Sequence, residues 1–242
     1  MDSQIREVAG KLRNAQRVLC LTGAGVSAES GVPTFRGAEG LWRKFRSEEL
    51  ATPSAFARDP KLVWEWYDWR RQRVAACAPN AGHRALAALQ ALSFSFDLVT
   101  QNVDGLHRLA GSDPVWELHG SLWGVRCSGC SREREDRRAP LPEIPPRCEC
   151  GGLERPSVVW FGEPLPGDVL SHAFDASAAA DVFLVVGTSA LVHPAASLPA
   201  IARERGAFVV EVNPGLTPLS ASVDVRLAGP SAEILPRVVE AI

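Results

Sequence analysis

The sequence predicts an α/β fold in which a parallel sheet carries helices on both faces and a small cysteine-rich domain is added. Three observations lead to this prediction. Strand-like apolar runs alternate with helical patterns, a glycine-rich turn follows the first apolar run, and two close cysteine pairs occupy the one segment that is poor in aliphatic residues. Alternation of this kind is typical of a parallel sheet covered on both faces.

The elements follow in order from local patterns. Residues 3–15 have the period of an amphipathic helix, whereas 17–22 and 181–187 are apolar runs typical of buried strands. Asn80 predicts the cap of a helix. The predicted helices are 3–15, 53–58, 60–76, 80–92, 104–109, 166–180, 194–205 and one that begins at about 231. The predicted strands are 17–22, 94–100, 115–118, 181–187, 207–212 and 223–228, with an extended segment at 157–161.

Length and composition limit the classes of protein. A chain of 242 residues, 46% of them hydrophobic, can bury one sizeable core with a smaller module beside it. The formal net charge of −2 gives no reason to expect a nucleic-acid or acidic-membrane partner. No segment has the pattern of a membrane span or a secretion signal, so we expect a cytoplasmic protein. Six cysteines in such a protein favour metal binding or burial over disulfides.

Gly23, Gly25 and Ala28 form a Gly-x-Gly-x-x-Ala motif directly after the first predicted strand. The small residues permit a tight turn at which backbone N–H groups can approach a pyrophosphate. The alternative is that this strand-to-helix turn uses glycine for steric reasons alone. The continuation from Gly31 to Arg36 is too rigid and too uneven in polarity for an ordinary first helix. We therefore predict a nucleotide loop, covered by an aromatic ring and a guanidinium group.

Two close cysteine pairs, Cys127 with Cys130 and Cys148 with Cys150, each lie beside a glycine-bearing turn. Four thiolates from two such turns suit a tetrahedral zinc ion and leave no open position for catalysis. The segment between the pairs has too few apolar side chains for a core of its own. A structural zinc ion would supply the stability that this missing core cannot, because zinc binding contributes about 10–16 kcal/mol of folding free energy in small zinc peptides. The alternative is reduced surface cysteines without a metal.

Polar residues follow two further predicted strands. The segment 100–104 has four polar residues in five, and the segment 187–189 combines glycine, threonine and serine. The carboxyl ends of parallel strands are where open α/β sheets bind ligands, so both segments are candidates for a site. The alternative for Asn102 or Asp104 is a helix-capping role.

Among the five histidines, His119 is the best candidate for a general base. It follows a predicted strand and precedes a glycine, so its ring can face the cleft at the strand ends. His83 and His107 are interpreted as ordinary helix residues.

Together these motifs resemble the sirtuins, the NAD-dependent protein lysine deacylases. The matching segments, in the family's order, are 23–27, 31–36, 100–104, 119–120, the four cysteines, 158–163, 187–189 and 211–213. The resemblance implies a Rossmann-like NAD-binding domain of residues 1–120 and 157–242, with a helical insert at about 37–92. It also implies a zinc-binding small domain of residues 121–156 and a cleft between the two.

The resemblance further implies the roles of individual residues, with NAD as co-substrate and one structural zinc. The implied catalytic residues are His119, Asn102 and Asp104. The implied NAD-binding residues are Gly23, Ala24, Gly25, Ser27, Thr34, Phe35, Arg36, Trp42, Gln101, Asn102, Val103, Asp104, Gly187, Thr188, Ser189, Asn213, Pro214, Gly215 and Ser231. The implied acyl-lysine residues are Tyr67, Arg70, Val159, Trp160, Phe161 and Gly162, and the zinc ligands are Cys127, Cys130, Cys148 and Cys150.

One pair of residues narrows the branch of the family. Tyr67 and Arg70 are three apart and lie on one helix face, and they resemble the Tyr-x-x-Arg signature of class III sirtuins. That resemblance implies removal of succinyl, malonyl and glutaryl groups, because a phenol and a guanidinium can bind a terminal carboxylate. The alternative is an aromatic-rich helix that packs its rings, with Arg70 solvated.

Other functions remain open at this stage. The enzyme could act mainly as a deacetylase. The alternatives from other classes of protein are a mono-ADP-ribosyltransferase and an NAD-binding sensor. The expected partners are acylated lysine side chains of proteins, without nucleic acid or membrane. The sequence does not determine the oligomeric state.

Overall fold

The computed structural model describes residues 1–34, 47–92 and 95–242. The described helices are α1 (Asp2–Asn14), α2 (Gly25–Ala28), α3 (Ser47–Leu50), α4 (Pro53–Arg58), α5 (Pro60–Ala75), α6 (Ala81–Gln90), α7 (Leu106–Leu109), α8 (Gly167–Ala179), α9 (Leu198–Glu204) and α10 (Ser231–Glu240). The strands are β1 (Arg17–Thr22), β2 (Ser95–Thr100), β3 (Val115–Glu117), β4 (Gly120–Cys127), β5 (Glu133–Glu135), β6 (Glu154–Val158), β7 (Val182–Val186), β8 (Phe208–Val212) and β9 (Val225–Leu227). Within the described ranges, no helix is both long enough and apolar enough to cross a bilayer.

The main sheet has six parallel strands in the order β3-β2-β1-β7-β8-β9. Its register aligns the strand ends, because Thr22 pairs with both Thr100 and Val186, and Val186 pairs with Val212. The loops that follow β1, β2, β7 and β8 therefore leave the sheet along one edge. The chain order reverses direction between β1 and β7, and such a switch point is where open α/β sheets bind ligands.

Both faces of this sheet are covered, as predicted. Alternate residues of a strand point to opposite faces, and on β1 Cys20 belongs to one buried cluster whereas Leu19 belongs to another. The first cluster includes apolar residues of α1, α6 and α10, and the second includes residues of α8 and α9. The predicted α/β class with a covered parallel sheet is confirmed.

The helices α4, α5 and α6, which precede the second strand, begin at residues with capping side chains. Asn80 accepts hydrogen bonds from the backbone N–H groups of Gly82 (2.9 Å) and His83 (3.3 Å), which confirms the predicted cap of α6. Asp59 accepts from the Leu62 N–H at 3.0 Å and is followed by a proline at the first position of α5. The start of α5 is thereby fixed, and with it the position of the side chains that this helix directs at the site.

A second, antiparallel sheet has the order β5-β4-β6. The sequence did not predict β4 and β5. The strand β5 lies in a segment that is rich in Arg and Cys and poor in the aliphatic residues that indicate strands, and β4 has glycine at two of its eight positions. The predicted extended segment 157–161 also differs: β6 begins earlier, at Glu154, because residues 154–156 pair with β4. The small domain of residues 121–156 stays a prediction; the strands of the small sheet run from Gly120 to Val158.

A third buried cluster joins the helix α5 to the small sheet. It contains Trp64 and Tyr67 of α5, Leu122 and Val125 of β4, and Trp160 after β6. Aromatic rings supply much of its buried area, and such rings are the largest contributors to packing in a core. The cluster therefore sets the position of α5 at the end of the main sheet where the strand ends converge.

Candidate active site

A cavity of about 510 Å³ opens at the carboxyl edge of the main sheet. Loops after four parallel strands, the helix α5 and the segment after β6 form its walls. The predicted site residues that line it are Gly23, Ala24, Gly25, Thr34, Tyr67, Arg70, Gln101, Asn102, Val103, His119, Val159, Trp160, Phe161, Gly162, Gly187, Thr188, Ser189 and Asn213. Residues that the sequence did not single out as site residues also line it, namely Ala51, Trp66, Val158, Glu163, Leu165, Val192, His193, Leu216 and Thr217.

Some predicted residues lie elsewhere. Ser27 and Asp104 are buried and do not line the cavity, although they bind its floor. Ser231 is the first residue of α10 and donates to Glu29 at 3.3 Å, away from the cavity. Pro214 and Gly215 are exposed in the loop after β8 and do not line it either. Phe35, Arg36 and Trp42 lie outside the described residues.

The glycines after β1 and β7 are required by a close contact between two loops. The Gly25 N–H donates to the Gly187 carbonyl at 2.7 Å, and a Cβ at Gly25 would lie 2.6 Å from that oxygen. A Cβ at Gly187, where φ is +59°, would lie 2.4 Å from the Val26 nitrogen. The steric alternative thus accounts for these two glycines. The loops they join still form a cradle without side chains at the switch point, which fits a dinucleotide.

A buried polar network supports the cavity floor. The Ser27 hydroxyl donates to the Asp104 carboxylate at 2.7 Å and accepts from the Asn102 amide at 3.2 Å. Asp104 also accepts from the Leu106 N–H at 2.9 Å, so the capping alternative is correct for this residue as well. Burial raises the pKa of Asp104, against the hydrogen bonds from Leu106 and Ser27 and the charge of Arg70. The network fixes the amide of Asn102, the one member that reaches the cavity.

His83 and His107 are part of this network, which the sequence did not reveal. His83 Nε2 lies 3.2 Å from the Ser27 hydroxyl, and His107 Nε2 lies 2.9 Å from that of Thr22. Burial lowers the pKa of His83 to about 4, helped by the charge of Arg84, and lowers the pKa of His107 to about 3, helped by the neighbouring His83 ring. Both rings are therefore neutral near pH 7. They lie on helices as expected, but they are buried rather than ordinary surface residues.

His119 is half-buried at the cavity wall, where its Nδ1 lies 3.0 Å from the Gln101 carbonyl oxygen. A carbonyl can only accept, so Nδ1 carries the proton and Nε2 of the neutral ring has a free lone pair. Burial lowers the pKa of His119, and the bond to Gln101 offsets only part of this. The ring is thus a base at neutral pH, held in one tautomer by the backbone.

Tyr67 and Arg70 lie together in the cavity wall, with only 1% and 6% of their surfaces exposed. The Arg70 guanidinium lies 4.9 Å from the Trp66 ring centroid and 5.8 Å from that of Tyr67. Burial lowers the pKa of Arg70, and the interactions with Tyr67 and Asp104 act in the opposite direction. Trp64 and Trp66 do pack as the alternative expected, but Arg70 is buried rather than solvated.

The four cysteines converge at the end of the small sheet. Their sulfur atoms lie within 4.8 Å of one another, with Cys127 and Cys150 3.4 Å apart and Cys130 and Cys148 3.7 Å apart. A tetrahedron with Zn–S bonds of about 2.3 Å places its sulfurs about 3.8 Å apart. The donor set therefore fits one zinc ion with no open position, including the pair separated by a single residue.

The comparisons with known proteins agree with this geometry. Residues 23–194 match the Sir2 family. An NAD-dependent protein deacylase of Aquifex aeolicus is 58% identical over 222 residues, covering 91% of this chain and 93% of that protein. A solved Sir2 homologue in complex with NAD is 49% identical with a TM-score of 0.91, covering 97% of this chain and 92% of that one. The structure of Sir2Af2 bound to a myristoylated histone peptide is 33% identical with a TM-score of 0.81, covering 100% and 97%.

A parallel sheet with a glycine cradle at its switch point, joined to a small sheet with four cysteines, defines a class that these matches identify. The chain belongs to the Sir2 family. It is an NAD-dependent protein deacylase, with NAD as co-substrate and a four-cysteine site that fits structural zinc.

Proposed function

We propose that this deacylase removes short acidic acyl groups (succinyl, malonyl and glutaryl) from lysine side chains of proteins, and that it also accepts acetyl-lysine. The observation that carries the proposal is the buried pair Tyr67 and Arg70 in the cavity wall. A guanidinium and a phenol can bind the terminal carboxylate of an acyl chain by charge-assisted hydrogen bonds, and such bonds are stronger in a buried wall than in water.

The glycine cradle and the loops after β2, β7 and β8 would hold NAD. In this arrangement Gly23, Ala24 and Gly25 face the pyrophosphate, and Thr188 and Ser189 serve the adenosine half. Asn102 would hold the nicotinamide ribose, because its amide is fixed by Ser27 and still lines the cavity. Bound NAD supplies the ADP-ribosyl group whose anomeric carbon accepts the acyl oxygen as nicotinamide leaves.

His119 would act as the general base. Its free Nε2 would take a proton from a ribose hydroxyl, so that the ribose oxygen can attack the carbon of the activated acyl group. One water molecule would be consumed as the lysine amine leaves the acyl carbon, and the products would be free lysine, nicotinamide and O-acyl-ADP-ribose. The bond from Nδ1 to the Gln101 carbonyl fixes the ring and stabilises the proton it already carries.

The acylated lysine would enter beside residues 159–162. Sir2Af2 was solved bound to a myristoylated histone peptide, and we infer that this chain likewise binds acylated peptides. The N–H groups of Val159 and Phe161 already donate to the carbonyls of His119 and Ala51, both at 2.9 Å. A bound peptide would therefore donate to carbonyl groups of this segment rather than accept from those amides.

We propose a cytoplasmic location for the enzyme.

The test compares kcat/KM for one peptide that carries either succinyl-lysine or acetyl-lysine. Arg70→Met should lower the value for the succinyl peptide about 10- to 150-fold, because a hydrogen bond to a charged group is worth about 1.5–3 kcal/mol. The acetyl value should change only a few-fold. Arg73→Met, an exposed arginine on the same helix, is the matched control. Equal losses on both peptides would contradict a carboxylate-specific role.

A further inference from the structure

One hydrogen bond in the cavity wall fixes the direction of the Tyr67 hydroxyl. The Trp160 indole N–H lies 2.9 Å from the Tyr67 oxygen, and both side chains are buried. An indole nitrogen can donate but cannot accept, so the phenol oxygen is the acceptor in this pair. The hydroxyl hydrogen must then point away from Trp160. Among the described residues, no acceptor receives a hydrogen bond from this hydroxyl.

The Trp160 ring is held from several sides. The Arg155 guanidinium lies 3.4 Å from its ring centroid, and the Phe56 ring packs on it with centroids 5.4 Å apart. Glu163 pairs with Arg155 at 2.5 Å and accepts from the Trp160 backbone N–H at 2.9 Å. A ring fixed at its face and at its backbone cannot turn its N–H away without breaking these contacts. The donor to Tyr67 is therefore preorganised.

Tyr67, whose hydroxyl hydrogen is still available for a hydrogen bond, lines the same cavity as the Arg70 guanidinium. Burial raises the pKa of Tyr67, against the charge of Arg70 and the bond from Trp160, so the phenol keeps its proton at neutral pH. A protonated phenol held in this way offers its hydrogen to a ligand in the cavity. A carboxylate can accept that hydrogen, whereas an acetyl methyl group cannot.

We propose that Trp160 is a positioning residue for acyl specificity: its indole N–H occupies the oxygen of Tyr67 and thereby commits the phenol hydrogen to the carboxylate of an acidic acyl group. The inference rests on the proposed preference for acidic acyl groups. It adds a third residue to that recognition, one that acts through Tyr67 and not by its own contact with the carboxylate. The same arrangement disfavours acetyl-lysine, because the acetyl group offers no acceptor to the Tyr67 hydroxyl hydrogen.

The experiment is a double-mutant cycle with Trp160→Phe, Tyr67→Phe and the double variant, each assayed with succinyl- and acetyl-lysine on one peptide. Each single variant should lower the succinyl-to-acetyl ratio of kcat/KM about 5- to 30-fold, mainly through KM for the succinyl peptide. Because Trp160 acts through Tyr67, the double variant should fall no further than Tyr67→Phe alone. Additive losses would overturn the proposal.

The controls separate this role from packing. Trp116→Phe replaces another indole, which stacks on His172 outside the cavity, and should leave the ratio unchanged. Should Trp160→Phe not fold, 3-benzothienylalanine at position 160 keeps the ring shape without the N–H. A ratio that stays at the wild-type value in either variant would refute the role of Trp160 alone. A wild-type enzyme with no preference for succinyl-lysine would refute the acyl assignment itself, and the inference with it.

Discussion

At the scale of single residues, His119 shows how a backbone contact prepares a base. Its Nδ1 donates to the Gln101 carbonyl at 3.0 Å, which leaves Nε2 unprotonated, and burial keeps the pKa below the ordinary histidine value. The arrangement needs no carboxylate partner for the ring. The consequence is a base that is present at neutral pH and is lost only in acid.

His119→Ala should lower kcat/KM for acyl peptides by about 10²- to 10⁴-fold, the usual contribution of general base catalysis. The affinity for ADP-ribose, measured by calorimetry, should change little, because the ring serves the chemical step. His172→Ala is the control, since that histidine pairs with Asp97 at 2.8 Å and does not line the cavity. In the wild-type enzyme kcat/KM should rise with pH through an inflection below 6.5, the ordinary value. An inflection above that value, or an active Ala variant, would contradict the assignment.

At the scale of elements, the loop between β8 and β9 is shaped by a pair of charged residues. One Arg226 nitrogen contacts the carbonyls of Asn213 (3.2 Å), Pro214 (3.2 Å) and Gly215 (2.9 Å). Glu211, buried at the end of β8, accepts from Ser220 at 2.5 Å and from Thr217, and lies 3.6 Å from Arg226. The pair holds the start of the loop where Asn213 lines the cavity.

Arg226→Met should raise KM for NAD about 3- to 10-fold, in keeping with the loss of one or two hydrogen bonds from a charged group that act only through the loop. The value of kcat and the KM for the acyl peptide should stay near those of the wild type, since Arg226 lies at the other side of the sheet from α5. Arg205→Met, an exposed arginine, serves as the control. A fall in kcat with an unchanged KM for NAD would show that the loop does not serve the dinucleotide.

The same scale shows what local sequence can and cannot predict. The strands β1 and β7 were predicted because both of their faces are buried, which produces continuous apolar runs, and β2 and β8 were predicted from runs that a single acidic residue interrupts. The strand β4 escaped prediction, because its residues pair across a cysteine-rich segment with few aliphatic side chains. Strand ends that carry polar residues predicted Asn102 and His119. The contact between Tyr67 and Trp160 joins residues 93 positions apart, and only the fold brings such residues together.

The sequence also did not predict which polar side chains are buried. Nothing in the local pattern distinguishes His83 and His107 from surface histidines of short helices, because their burial depends on the packing of α6 against α7. The resemblance to sirtuins supplied Ser27 as a ligand of NAD, whereas the structure places its hydroxyl among Asp104, Asn102 and His83. Sequence motifs thus predicted residues that the structure brings to one cavity, but they did not separate the residues that line the cavity from those that hold the lining residues in place.

At the scale of the whole molecule, α5 joins the small sheet to the cavity. Trp64, Asp68 and Arg71 are spaced so that they share one helix face, and each contacts the cysteine-containing module. Asp68 accepts from the Leu141 N–H at 2.8 Å, and the buried Arg71 lies 3.6 Å from the Asp136 carboxylate and donates to its carbonyl. Tyr67 and Arg70 project from the same helix into the cavity. The cavity wall that carries Tyr67 and Arg70 therefore depends on this module for its position.

Loss of the metal should therefore lower activity on the acyl peptide more than it lowers the affinity for the nucleotide. Removal of zinc by a chelator, or Cys148→Ser, should lower the thermal unfolding temperature and the kcat/KM for acyl peptides, because a structural zinc stabilises its module by about 10 kcal/mol or more. The affinity for ADP-ribose should fall far less, since the glycine cradle is built by β1 and β7, which do not contact the zinc site. Cys77→Ser is the matched control, because Cys77 is outside the four-cysteine cluster. The measurements are calorimetry with ADP-ribose and kinetics with an acyl peptide, both on the same zinc-free sample. An equal loss of ADP-ribose affinity and of kcat/KM would mean that the molecule behaves as one cooperative unit. If neither quantity falls, the fold around the four cysteines does not depend on a metal.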